Sequence, residues 1–219
     1  MGQVFTRAAA AWFRVALGAV AVVVAGAFAF AWAWVRSPWN TGVGVPIEQP
    51  VPFSHAHHVG GLGIDCRYCH GAVETSAYAG MPATETCMTC HAQVWTSAAL
   101  LAPVHDSFAS GTPLRWNRVY RLPDHVYFEH RAHVAAGVPC VTCHGRMDRM
   151  ALTAVARPLE MRACLACHRH PERALVERAQ EFSPAAVPAG DDTARARRLA
   201  LAAHLLPPAQ LTTCSTCHR

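Results

Sequence analysis

The chain has 219 residues, 52% of them hydrophobic and 15% charged, with a formal charge of +5. That length allows one or two domains. The charge is no nucleic-acid footprint: all 19 basic side chains are arginines, no run exceeds two residues, and no recognition motif accompanies them.

The hydrophobic share is inflated by one early segment. Val15 to Val35 is 21 residues without a charge, about the length a helix needs to cross a bilayer. Arg7 and Arg14 precede it and no acid does, so residues 1–36 are expected to anchor the chain with a cytoplasmic N-terminus. Trp32, Trp34 and Trp39 cluster at the outer end, as an interfacial aromatic belt would. A cleaved signal peptide is the competing reading, with Ala25-Gly26-Ala27 or Ala31-Trp32-Ala33 as its cleavage site. Its apolar region should be shorter, about 7–15 residues. Either way, residues beyond the segment are expected on the periplasmic side of a bacterial cytoplasmic membrane. Residues 37–52, with Pro38, Gly42, Gly44, Pro46, Pro50 and Pro52, read as an extended linker.

From Phe53 to Arg219 the sequence is organised by Cys-x-x-Cys-His. Five copies use every cysteine: Cys66 and Cys69 with His70, Cys87 and Cys90 with His91, Cys140 and Cys143 with His144, Cys164 and Cys167 with His168, and Cys214 and Cys217 with His218. This is the attachment motif of c-type haem. The two thiols form thioethers with the vinyl groups, and the histidine is held beneath the iron as proximal ligand. Zinc sites need paired Cys-x-x-Cys units, and five is odd; neither zinc nor a thioredoxin-like pair requires histidine next. With 14 histidines in the chain, five chance successes are about a one-in-a-million event. Residues 53–219 are therefore expected to form a small multihaem cytochrome c domain with five covalently bound c-type haems, mostly loops with short helices leading into the motifs. So few residues per haem cannot build an ordinary aliphatic core, so the macrocycles must be part of it.

An internal repeat orders this domain. Phe53-Ser54-His55-Ala56-His57-His58 is echoed by Phe128-Glu129-His130-Arg131-Ala132-His133, both F-x-H-x-x-H, and each precedes two haem motifs at offsets of 75, 74 and 77 residues. Cys214 lies 74 residues after Cys140, which makes a truncated third unit. In each pair, an i,i+3 spacing points two imidazoles at neighbouring haems. His55 and His130 are expected as distal ligands of the haems that follow them. His58 and His133 are expected to serve those attached at Cys87 and Cys164, in either order. The repeat places His204, ten residues before Cys214, as the fifth distal ligand, with Met150 or Met161 as alternatives. It would stand near the end of a helix spanning 193–206, stopped by Pro207-Pro208. His57, His105, His125 and His170 are expected not to ligate. Arg169 and Arg219, directly after proximal histidines, are candidate partners of haem propionates.

The stretches Gln49–His91 and Leu122–Gly145, and the terminal Cys-Ser-Thr-Cys-His-Arg, resemble the pentahaem cytochrome c subunit of alternative complex III; the F-x-H-x-x-H units alone are shared with the wider cytochrome c3/c7 group. The resemblance implies an electron-transfer subunit of a quinol-oxidising membrane complex rather than an enzyme in itself. Its implied partners are an iron–sulfur subunit with a molybdoenzyme-like fold, polytopic quinol-binding membrane subunits, and a monohaem cytochrome c or oxidase as acceptor. It also implies distal ligation by His55, His58, His130 and His133. The alternative is a free-standing, membrane-anchored cytochrome passing quinol electrons to a periplasmic reductase. A reductase with an open haem site is disfavoured, because all five motifs end in histidine and enough histidines remain to complete the coordination.

Overall fold

The computed structural model describes residues 6–219; the first five residues of the expected anchor lie outside it. The chain divides into two units, one up to Val43 and one from Gly44 onward.

In the first unit, α1 runs from Arg7 to Arg36. The Thr6 side chain caps it by accepting from the Ala9 N–H at 3.2 Å. Thirty residues rise about 45 Å, enough to span a hydrocarbon layer, and none of its side chains is buried in the protein. Its most apolar window has a mean hydropathy of 2.3. By length and composition α1 is a candidate membrane anchor; an N-terminal signal sequence would have the same character. Arg36 folds its guanidinium over the Trp32 ring at 4.2 Å. A short helix, α2 (Pro38–Thr41), follows and closes on left-handed Gly42.

Residues 44–52, part of the expected linker, pair with other segments of the second unit: Gly44 and Ile47 N–H groups donate to the Val155 and Thr153 carbonyls at 2.8 and 3.3 Å, and Val51 is buried. The Gln49 side chain bonds the Asn117 backbone in both directions at 2.8 Å. The prolines in this stretch suit an extended, edge-like segment as well as a free tether.

The second unit is made of short helices: α3 (Cys66–Cys69), α4 (Thr84–His91), α5 (Ala102–Ser110), α6 (His130–Ala135), α7 (Val141–His144), α8 (Met161–His168), α9 (Thr193–Ala202), α10 (Pro208–Leu211) and α11 (Cys214–Cys217). The described residues hold two isolated antiparallel bridges, Pro46–Ala154 and Val126–His218, and no longer strand. A π-type turn, Ala56–Gly61, precedes α3. Its Gly60 is needed for close approach, since a Cβ there would sit 2.3 Å from the Asp148 carbonyl oxygen.

Only eleven apolar side chains are buried among the described residues, which is little for a unit of this length. Seven of them form two small clusters. Leu175, Ala189, Ala196 and Leu199 hold α9; Val51, Leu101 and Val104 hold α5 against α4, with Cys87 and Met88 alongside. Ser107 donates to the Thr112 carbonyl at 2.6 Å and so accepts from Thr84 at 2.7 Å, which locks the two helices. Glu177 is clamped by Arg195 at 2.5 Å and Arg198 at 3.0 Å; chiefly the Arg195 bond holds its carboxyl down to about 2.

Helix α9 starts where expected, with the Asp192 side chain accepting from the Arg195 N–H at 3.0 Å, but ends four residues before the expected 206. The end is a Schellman turn. His204 N–H bonds the Leu201 carbonyl at 3.2 Å and Leu205 N–H bonds the Ala200 carbonyl at 3.1 Å. His204 itself is left-handed, with φ +49°, and Leu205 returns to the apolar cluster.

Candidate haem-binding sites

The Cys-x-x-Cys segments are single helical turns or helix ends. In α3 and α11 the two cysteines are the first and last residues of a four-residue helix; in α4 and α8 the motif closes an eight-residue one. One turn puts residues i and i+3 on the same face, so each thiol pair points the same way and the histidine follows at the end. No disulfide joins any of the ten cysteines.

The two F-x-H-x-x-H units show what their phenylalanine does. The Phe53 ring stacks on His58 (4.4 Å, 22°) and meets His55 edge-on (4.9 Å, 86°). Phe128 does the same with His133 (4.7 Å, 26°) and His130 (4.8 Å, 88°). One aromatic ring thus fixes two imidazoles in different planes. The sequence pattern marks the phenylalanine, but the role is visible only in the packing.

Hydrogen bonds prepare most of these imidazoles for a metal. The Nδ1–H groups of His58, His70, His91, His130, His133 and His168 donate to the carbonyls of Ser54, Gly80, Val94, Ala77, Glu129 and Leu211, at 2.8–3.2 Å. His55 Nδ1 pairs with Thr153 Oγ1 at 3.1 Å. A carbonyl can only accept, so each of the six carries a proton on Nδ1, and in the neutral imidazole Nε2 is the free nitrogen. That is the arrangement of a metal-ligating histidine. Among the described residues, His57, His105, His125, His170, His204 and His218 make no such bond to a carbonyl. His144 lacks one too but is packed edge-on to Tyr120 at 4.8 Å. Burial first, then His130, His70 and His55, draw its pKa down to about 4. Burial, then His70 and His58, likewise draw His55 down to about 4, so both imidazoles are neutral and able to ligate near pH 7.

The rings also pair across motifs. Ring centroids are 6.2 Å apart for His58 and His91, 6.3 Å for His130 and His144, and 6.1 Å for His133 and His168. Two imidazoles bound to opposite sides of one iron, each at about 2 Å, bring their centroids roughly 6 Å apart. This resolves the order left open by spacing: His58 faces the Cys87 motif and His133 the Cys164 motif. His55 lies close enough to His70 and to His58 for both to lower its pKa.

The fifth expectation needs correction. His204 is exposed and serves as the left-handed residue of the α9 end. The ring that meets His218 is that of His125, at 5.6 Å and 23°. A short ladder brings it there: Val126 bridges His218, Tyr127 N–H donates to the Cys217 carbonyl at 2.7 Å, and Arg219 N–H donates to the His125 carbonyl at 3.3 Å. Met161 is 65% exposed at the start of α8. Met150 lies beside Gly145 of the third motif, and its carbonyl accepts from Ala56 at 2.9 Å. Neither methionine is placed at the terminal motif.

Orphaned polar atoms test whether macrocycles fit. Three buried side-chain atoms find no partner among the described residues: His105 Nε2, Thr142 Oγ1 and Glu181 Oε1. Each lies beside a motif. His105 is on α5, which packs on α4; Thr142 is inside the third motif; the Glu181 carbonyl accepts from Cys140 N–H at 3.2 Å. A haem propionate at these motifs would accept from the Thr142 hydroxyl or from a protonated His105 Nε2; Glu181 Oε1 is itself an acceptor and faces Arg178 at 3.9 Å. Arg157, which the sequence did not mark, donates to the Thr142 carbonyl at 2.8 Å and opposes the upward push of burial on the Cys143, Cys164 and Cys167 thiols. Its cation stands between the third and fourth motifs, a better placed propionate partner than Arg219, whose guanidinium lies over Tyr127 at 4.5 Å.

These are the features of a multihaem cytochrome c. The comparison with known proteins supports that class. Over 103 residues, 47% of this chain, the sequence is 38% identical to the multihaem cytochrome c subunit of a menaquinone reductase from Nitratidesulfovibrio vulgaris. The match covers 48% of that protein, so this chain is matched to about half of its curated relative's length. No family model matches the chain.

Proposed function

We propose that the chain is the electron-relay subunit of a quinone-linked membrane complex and carries five c-type haems, each with two axial histidines. The supporting observation is the pairing of imidazoles across motifs at 6.1–6.3 Å, with the Nδ1–H groups of five of those six imidazoles already committed to carbonyls. The proposed axial sets are His70 with His55, His91 with His58, His144 with His130, His168 with His133, and His218 with His125. Each bound haem iron would supply a one-electron couple, and the protein's part is to orient and insulate it. Phe53 and Phe128 hold two imidazoles each, the carbonyl bonds raise imidazole basicity, and full coordination leaves no open position for a substrate.

The complex is read as quinol-oxidising, following the resemblance to alternative complex III, with an iron–sulfur molybdoenzyme-like subunit, polytopic quinol-binding subunits and a monohaem cytochrome c or oxidase as partners. α1 is read as a retained anchor that places the haem unit on the periplasmic side. The name of the relative favours a second direction, electrons delivered to menaquinone. Purification of the chain with its native partners tests both. The intact mass should exceed the polypeptide by five haems, and the ferric spectrum should be low-spin throughout. Reduction by a menaquinol analogue supports quinol oxidation; reduction only by a low-potential donor, followed by quinone reduction, supports the reverse. A high-spin, carbon monoxide-binding haem at full stoichiometry would overturn the relay reading in favour of an enzyme.

A further inference from the structure

The five motifs do not follow one another in space as they do in sequence. We propose that the sites form a single file in the order Cys87, Cys66, Cys140, Cys164, Cys214, so that the relay begins or ends at the second and fifth motifs and the first motif lies inside it. This rests on the reading of the chain as a multihaem relay.

Each adjacency is carried by hydrogen bonds or aromatic contacts between motifs or their ligands. The second and first motifs are tied by Tyr68 and Thr89, whose hydroxyls bond at 2.7 Å across Cys-Arg-Tyr-Cys and Cys-Met-Thr-Cys. Their distal histidines, His58 and His55, share the Phe53 clamp. The first and third motifs converge on one dipeptide: the Cys66 thiol donates to the Phe182 carbonyl at 3.6 Å and the Cys140 N–H to the Glu181 carbonyl at 3.2 Å. The third site's distal ligand, His130, also donates both its ring and backbone N–H groups to the Ala77 carbonyl, in the loop after the first motif, at 2.9 and 3.2 Å. The third and fourth sites share the Phe128 clamp through His130 and His133. The fourth and fifth meet where His168 Nδ1–H donates to the Leu211 carbonyl at 3.0 Å, three residues before Cys214. Among the described residues, no hydrogen bond joins the second motif to the third.

The consequence is mechanical. Transfer moves one electron between neighbouring sites, oxidising one and reducing the next, with no bond made or broken. A quinone-linked donor at one end and a one-electron protein acceptor at the other balance the sequence. Coupling weakens steeply with separation, so neighbours in space set the route and also sense each other's charge.

Redox titration of the intact, haem-loaded chain tests the order. His130→Met would exchange one axial imidazole of the third site for a thioether and raise its potential. Midpoints of the first and fourth sites should then shift, and those of the second and fifth should hold. The sites are assigned by separate His55→Met and His58→Met variants. If the second and fourth shift while the first holds, the sites follow the sequence and the proposal fails. Should His130→Met load haem poorly, His58→Met alone decides: the first site should respond and the third should not, and a response of the third overturns the order. Intact mass separates the two levels. Fewer than five haems in the unsubstituted chain would refute the multihaem reading; five haems with the wrong coupling would refute only the order.

Discussion

The turn at Phe53–His58 and the helix at Phe128–His133 have different backbones and the same site. One is a π-type turn and the other an α-helix, yet the phenylalanine meets its two histidines at nearly equal distances and angles in both. The stretch Ala202–Leu205 is the reverse case. It keeps the 74-residue register of the repeat but has Ala202 where the phenylalanine stands, and it becomes an ordinary helix end. It also has Pro207 where the second histidine would stand, so it holds one imidazole, with neither an aromatic clamp nor a carbonyl for Nδ1. The imidazole that meets the terminal motif comes from a different part of the chain.

The largest test of this contrast is to remove a clamp. Phe128→Ala deletes the ring that orients His130 and His133, and should cost about 2–4 kcal/mol, as for a large aromatic in a partly open site. Thermal unfolding of the haem-loaded protein measures that cost, and low-temperature electron paramagnetic resonance should show two low-spin signals altered together. If only one changed, the shared-clamp reading would be wrong.

Next in size is Gly60→Ala. The new Cβ would meet the Asp148 carbonyl at 2.3 Å, pushing the turn that bears His55 and His58 away from residues 147–149. Overpacking of this kind costs about 1–3 kcal/mol. The effect should fall on the first and second sites and spare the Phe128 pair; a denaturation midpoint equal to wild type would show that the turn can shift freely.

The paired substitutions His125→Ala and His204→Ala discriminate between the ladder and the repeat. The first should convert one haem in five to a five-coordinate, high-spin form that binds carbon monoxide. The second should leave the spectrum unchanged. The opposite outcome would restore the repeat-based assignment.

The smallest effect should be a gain. His204→Gly relieves a left-handed backbone at the α9 end and should add up to about 1 kcal/mol, seen as a raised unfolding midpoint with no spectral change. A loss of stability would mean that the His204 side chain has a partner.

Much of the candidate site is legible in the amino-acid sequence. Cys-x-x-Cys-His names its own chemistry because the thiols and the histidine must be contiguous to act on one macrocycle, and F-x-H-x-x-H is legible because its three side chains act within one turn. What failed were inferences across distance. His125 carries no local signal: it sits in Pro-Asp-His-Val, its ring is brought to His218 by the pairing of residues 125–127 with 217–219, and such pairing is not written in either segment alone. The linker bounds are likewise not written in composition, since prolines in residues 44–52 are equally at home in a free tether and in an extended segment laid on a folded surface.

The division follows from the range of the forces. Sequence by itself determined what is local and covalent: five attachment motifs, an apolar helix long enough to cross a membrane, and two clamps that each hold a pair of imidazoles. Tertiary structure alone decided which imidazole meets which motif, that the terminal motif faces His125, and that the first motif lies beside both the second and the third. Those depend on backbone hydrogen bonds between segments up to about a hundred residues apart, which any residue other than proline can make and which leave no mark on composition or spacing.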